Sequence, residues 1–422
     1  MPVAPRPGLE PETSPHDEPV SRFGVRVPMT LRTIDEPHRG ATQLELFFDL
    51  TFVVAVAGLT GPVAERIADG DGLALIVPFL QVFFAIWWAW MNFTWFASSY
   101  DTDDVPYRVL TLVQMGGVLV LAAGVPVALE DDRYTAITGG YLIMRTALVA
   151  QWMRAAAEEP RTRGTARRYA SGILLASAGW LLRLCLAEAG LLPRRAQIPV
   201  FVVLAAIELA VPPWAERRRP TNWHPHHIAE RYGLFAIVLL GEGVLAPAMA
   251  LDRAISAGGF SASLVVIAVA GLVLVAALWW IYFLEPCGRG LAANRRRSYA
   301  WGYGHYGVFA ALAASGAGLE VTVSHVGGHA HVSSTVAAVA VAVPVGIFLV
   351  LVWLVNAPIM GRPLIHPAVL VCAAASVALC PALAPVLGLP ATIAAIAAVC
   401  AGVIAVAHAS GRVPTRLSVV RR

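Results

Sequence analysis

The chain has 422 residues, of which 58% are apolar and 14% charged, with a formal net charge of +4. Soluble chains carry about 25% charged residues, so there is too little polar side chain here to cover a water-soluble enzyme. No lysine occurs, and the arrangement of the arginines reads as membrane topology, with no nucleic-acid footprint behind the positive charge.

Residues 1–43 are rich in Pro, Arg and acids and lack the apolar run of a signal peptide. They predict a disordered cytoplasmic tail. From residue 44 to residue 408, apolar runs recur, each long enough for the roughly 20 residues of a bilayer-crossing helix. They predict about twelve membrane helices, over 44–65, 73–97, 106–128, 134–156, 167–189, 197–214, 228–250, 260–284, 298–319, 335–355, 366–385 and 391–408. Pro381 and Pro385 interrupt the eleventh. The expected fold class is all-α, a polytopic membrane helical bundle. With a cytoplasmic N-terminus, the cytoplasmic segments hold 23 arginines and the opposite loops hold 5. That asymmetry is the positive-inside pattern and places both termini on the cytoplasmic side of the membrane. The five cysteines have no CxxC spacing and read as buried small hydrophobes.

The first helix carries the sharpest local signal. Glu45 and Asp49 head the apolar stretch LELFFDLTFVVAVAGLT four residues apart, on one helix face, with Asp49 about 6 Å deeper. Two acids at membrane depth call for a cation or proton site or for cationic partners. Further along, Asp101, Asp103 and Asp104 form an acidic cluster in the loop after the second helix, ahead of Arg108. Arg145 and Arg183 are cations at membrane depth, and Glu208 is a matching acid. Arg145 reads either as a neutralising partner or as a binder of anionic substrate. In WHPHHIAER, His227, Glu230 and Arg231 stand at the head of the seventh helix, but no further ligand follows at zinc spacing, so no metal or cofactor is expected. Glu242, in LLGEG with Pro247 one turn on, predicts a buried acid at a helix kink or break. His305 in the ninth helix is a candidate proton carrier.

Two halves of the chain resemble one another. Trp87-Trp88-Ala89-Trp90 answers Trp279-Trp280-Ile281-Tyr282, and QMGGVLVLAAGVPVALE (114–130) overlays GHYGVFAALAASGAGLE (304–320). With Glu45 over Glu230, the offsets are 192, 190 and 185 residues. The expected organisation is therefore a first six-helix repeat at 44–214, a linker at 215–227, a second repeat at 228–408 and a cytoplasmic tail at 409–422. An even helix number per unit makes the repeats parallel, as in several transporter folds.

These segments resemble the bacterial low temperature requirement protein A (LtrA) family. The resemblance rests on ELFFDLTFVVAV at 45–56, the WWAW segment, YDTDD with Tyr107-Arg108, HIAERYGLFAIVLLGE at 227–242, and the ends of the ninth helix. By that resemblance Glu45, Asp49, Asp103, Asp104, Arg108, His227, Glu230, Arg231, Glu242 and His305 are motif positions. It implies a multi-pass bacterial membrane protein associated with growth at low temperature, and it implies no reaction.

The leading reading from the residues is secondary transport or ion permeation of a small solute or cation, with Asp49 and Glu242 as its carboxylates and Glu45, His305 and Arg145 beside them. An alternative is an intramembrane, lipid-modifying enzyme with His227, Glu230, Asp103 and Asp104 at the cytoplasmic face. A membrane sensor or assembly partner is a third. The lipid bilayer, the solute and a second copy of the chain are the expected partners, and nucleic acid is not.

Overall fold

The structure is a computed structural model that describes residues 25–34, 36, 39–256, 261–361 and 363–410. Among these residues all regular structure is helical: α1 (Gln43–Ala68), α2 (Ile76–Tyr100), α3 (Val105–Asp131), α4 (Thr135–Glu158), α5 (Arg163–Glu188), α6 (Arg194–Glu216), α7 (Pro225–Ser256), α8 (Ala262–Phe283), the short α9 (Cys287–Ala293), α10 (Ser298–Val326), α11 (Ser334–Asn356), α12 (Pro367–Leu379), the one-turn α13 (Ala384–Leu387) and α14 (Leu389–Ala409). Each of the twelve predicted segments lies on one of these helices, and the eleventh breaks at Pro381 and Pro385 into α12, a 3-10 turn and α13.

Among the described residues, eleven spans are long and apolar enough to cross a membrane. The helix outside that set is α4, which carries Arg145 and Arg154 yet packs between α3 and α5. At 24 residues it is about 36 Å long, enough for the same crossing. The outer faces bear Leu50, Val54, Leu175, Val202 and Val269, each more than half exposed. Such a belt suits hydrocarbon and would aggregate in water. The chain is a multi-pass membrane protein.

Helix ends follow local chemistry. Thr42 and Glu45 form a reciprocal capping box on α1, and Asp104 caps α3 by accepting the Tyr107 N–H at 3.0 Å. Small residues let the tightest pairs approach. A Cβ on Gly140 would fall 2.4 Å from the Leu121 nitrogen of α3, and one on Gly318 would fall 2.2 Å from the Ala340 oxygen of α11.

Part of the helix packing recurs between the first and second halves. α1 lies on α3, α3 on α4 and α4 on α5, while α7 lies on α10, α10 on α11 and α11 on α12. α1, α7 and α10 meet at the centre. The matching Trp motifs differ in surroundings. Trp87, Trp88 and Trp90 of α2 are buried, whereas Trp279 and Trp280 of α8 are 45% and 46% exposed.

Two expectations change here. α7 runs unbroken through Gly241, Gly243 and Pro247 for 32 residues. The Pro247 ring faces Gly271 of α8, where a Cβ would fall 2.9 Å from its Cγ. The disorder expected of residues 1–43 does not extend to 25–34, which lie as a strap over the N-terminal face. Met29 is fully buried and its N–H donates to Glu158 at 2.7 Å, while the Arg32 N–H donates to the Ser99 carbonyl at 3.0 Å. One apolar anchor and paired backbone groups offset the ordering entropy that composition alone would leave unopposed. Residues 1–24 and 411–422, the ends of the two tails, lie outside the described residues.

Candidate functional site: two polar levels in one helix trio

Among the side-chain contacts that join α1 to α7, three hydrogen-bonded pairs, His227 with Glu45, Arg231 with Asp49 and Thr60 with Glu242, are each between residues 182 apart. A constant separation means that the two helices run parallel and in register. The same register sorts the acids into two levels.

The first level is near the N-terminal face. Arg231 donates to both oxygens of Asp49, from Nε at 3.0 Å and Nη2 at 2.6 Å, and the Trp90 indole N–H adds a third bond at 2.7 Å. Arg231 Nη1 also lies 3.2 Å from Glu45 Oε1. His227 Nε2 is 3.1 Å from Glu45 Oε2, and Arg39 from the chain ahead of α1 approaches Glu45 at 3.6 Å. Arg231, His227 and Glu45 are fully buried, and Asp49 is nearly so. A planar guanidinium is the side chain suited to two carboxylates at once. The acids at this level are paired, as buried charges must be.

Arg39 continues the network outward to Asp101 at 3.5 Å, in the loop between α2 and α3. Burial is the main influence on Asp101 and the nearby Glu45 carboxylate reinforces it. Together they outweigh Arg39 and Arg32 and push its carboxyl up to about 6. A folded-state value raised above the free 3.8 makes the fold bind more protons than the unfolded chain between the two. Stability is therefore expected to fall as pH rises from about 4 through about 6, and Asp101→Asn to flatten that slope. Thermal unfolding of both proteins in detergent across this window checks it. A flat wild-type profile, or a slope that survives in the variant, contradicts it.

The second level lies eleven residues farther along each helix, about 16 Å away. Glu242 is half-buried and accepts one hydrogen bond, from the Thr60 hydroxyl at 3.3 Å. Among the described residues no cation pairs with it within 4.0 Å. Gly316 of α10 faces this turn closely: a Cβ there would fall 3.2 Å from the Gly243 nitrogen and 3.4 Å from Glu242 Cβ. Glu320 of α10 stands within electrostatic reach of Glu242, of Glu65 from α1 and of Arg253 from α7. Arg253 Nη1 is buried with no hydrogen-bond partner.

Rings separate the levels. Phe52, Trp90, Phe235 and Phe309 are each at most 1% exposed. Trp90 stacks on Phe235 with centroids 4.3 Å apart, and Phe309 lies 5.2 Å from Phe235. Asp49 and Glu242 thus belong to two sites with an aromatic layer between them. His305 sits beside this layer, caged by Trp301, Tyr232 and Phe309, with Nδ1 2.7 Å from the Trp301 carbonyl. It touches neither acid level.

The remaining candidates lie elsewhere. Arg145 is ion-paired with Glu208 of α6, which also accepts from Tyr141, Trp88 and Trp180 at 2.7, 3.0 and 3.3 Å. Arg108 and Asp103 form a two-bond pair, largely solvent-accessible. Asp104 is buried, which by itself raises its carboxyl, but Arg154 and the N–H groups of Val27 and Tyr107 overcome this and hold it at about 2. Glu230 is exposed near Gly40, one residue off the buried face of α7. Among the described residues no three His, Cys, Asp or Glu side chains group to hold a metal ion.

The model of the bacterial low temperature requirement A protein (LtrA) family matches residues 40–405, most of the chain. The chain belongs to that family. An uncharacterized protein of Rhizobium meliloti (strain 1021) is 24% identical over 300 residues, covering 67% of this chain and 69% of its own. No solved structure matches the chain. The LtrA-like motifs at 45–56 and 227–242 lie on α1 and α7, so the segments that carry the resemblance build the Glu45–Asp49–His227–Arg231 cluster and supply Glu242 to the second level. Sequence reasoning missed Arg39 and Thr60, and it placed Asp101 in a loop cluster and Glu320 in the repeat overlay without joining either to these levels. Its one available signal was a constant residue offset between the polar positions of the two helices.

Proposed function

We propose that this LtrA-family protein moves a cation or proton across the membrane, with Glu242 as the binding carboxylate. One observation carries the reading: Glu242 has a single neutral hydrogen bond in the central helix trio, whereas Glu45, Asp49 and Glu208 are all ion-paired. A membrane-depth acid held without a fixed cation is suited to an exchangeable one. The first level then acts as a closed gate, its Arg231 clamp and the aromatic layer separating Glu242 from the N-terminal face. We take that face as cytoplasmic, following the arginine asymmetry, and the two halves as parallel six-helix repeats. The recurring part of the helix packing and the α1–α7 register support the second point.

Proteoliposome flux of protons and monovalent cations tests the assignment. Glu242→Gln keeps the shape and removes the charge, and flux is expected to fall about tenfold or more, with a smaller loss in Thr60→Val. Equal flux in wild type and Glu242→Gln would remove the carboxylate from the mechanism.

A further inference from the structure

A second buried cation lies outside both levels. Arg183 belongs to the last turns of α5, on the face opposite the N-terminal strap, and is 8% exposed. Its Nε is buried with no hydrogen-bond partner, and no described carboxylate lies within 4.0 Å. The exposed Asp132 acts on it only through its field. What flanks the guanidinium is aromatic: the Tyr134 ring at 5.6 Å and the Phe201 ring at 5.9 Å. Arg145 and Arg231, the other buried arginines of the bundle, each have a dedicated carboxylate.

Arg183 also lines a small, partly open cleft of about 40 Å³ between α2, α4, α5 and α6. Its walls are apolar, with Phe84, Trp180 and Phe201 among them, and Gln81 and Thr138 add polar groups. Trp180 and Tyr141 at its border donate to Glu208, so the Arg145 pair is committed beneath it and competes for nothing in the cleft. An unpaired cation over an apolar chamber selects a ligand with an anion at one end and hydrocarbon at the other. The guanidinium fork matches a carboxylate or a phosphate.

We infer that the Arg183 cleft binds an amphiphilic oxyanion, a carboxylate or phosphate carried on an apolar chain. The inference does not depend on Glu242 or on transport. The test uses the full chain in neutral detergent, followed by native mass spectrometry. Dodecanoate forms one arm and phosphatidylglycerol the other, with dodecyltrimethylammonium as the cationic control. Saturable one-site binding of an anionic amphiphile is expected, with none of the control. Preference for dodecanoate identifies a free fatty carboxylate, and preference for phosphatidylglycerol a bilayer lipid. Arg183→Gln is expected to weaken binding about tenfold or more, and Arg183→Lys, which keeps the charge and loses the fork, to weaken it less. Thr138→Phe, which fills the cleft and leaves Arg183 in place, is expected to abolish it. Absence of saturable binding in the wild type overturns the inference. Wild-type affinity in both Arg183→Gln and Thr138→Phe overturns it as well, and leaves Arg183 as a side chain reaching toward the interface.

Discussion

Arg231→Met is expected to destabilise the folded protein by about 3–5 kcal/mol, the scale for removing one partner of a buried ion pair. Asp49 loses both guanidinium bonds and keeps the Trp90 N–H, and Glu45 keeps Arg39 and His227. The damage therefore centres on Asp49. Combining Arg231→Met with Asp49→Asn should recover a large part of the loss, because the cost lies in the orphaned charge more than in the missing attraction. Unfolding in mixed detergent, run as a double-mutant cycle, measures both quantities. A loss below about 1 kcal/mol for Arg231→Met would mean that water reaches Asp49, as at an exposed pair.

Arg145→Met is expected to cost somewhat less, toward the lower end of about 3–5 kcal/mol. Glu208 is 1% exposed and would lose its only described ion-pair partner. Three neutral donors would remain: the Tyr141 hydroxyl and the Trp88 and Trp180 indoles. They go on solvating the carboxylate, which Asp49 with a single indole cannot match. The double variant Arg145→Met with Glu208→Gln should recover part of the loss, since the amide oxygen can still accept from Tyr141 and Trp180 while its NH2 replaces the oxygen that accepts from Trp88. Strong non-additivity in this cycle, together with full additivity between Arg145 and Arg231 variants, is the expected pattern for two separate clusters. Coupling between the clusters would contradict the separation described above.

The two pairs also show how far local patterns reach. Arg145 and Glu208 were each visible as costly charges at membrane depth, and neutralisation was the economical account of them. Their pairing with each other, and the three aromatic donors around Glu208, depend on α2, α4, α5 and α6 meeting at one point. Asp49 and Glu242 show the opposite outcome. Both were visible as membrane-depth acids, and sequence symmetry suggested a single central site. The register between α1 and α7 places them about 16 Å apart along the helices, and Phe52, Trp90, Phe235 and Phe309 fill the space between the levels. The strap at 25–34 reads as a polar tail because hydropathy cannot see that Met29 finds a pocket and that its neighbours find backbone partners.

What the sequence by itself determined is the class: a helical membrane bundle, its segments in order, and the motif positions of the LtrA family. Those follow from hydropathy and residue identity, which are local properties of a one-dimensional chain. Only the tertiary structure decided which acid meets which arginine, because the partners stand 182 residues apart on α1 and α7 and 63 apart on α4 and α6. It likewise decided that Glu242 is left with a neutral hydroxyl and Arg183 with aromatic rings. Burial makes an unpaired charge costly, but only the packing of distant helices determines where a partner is supplied and where none is.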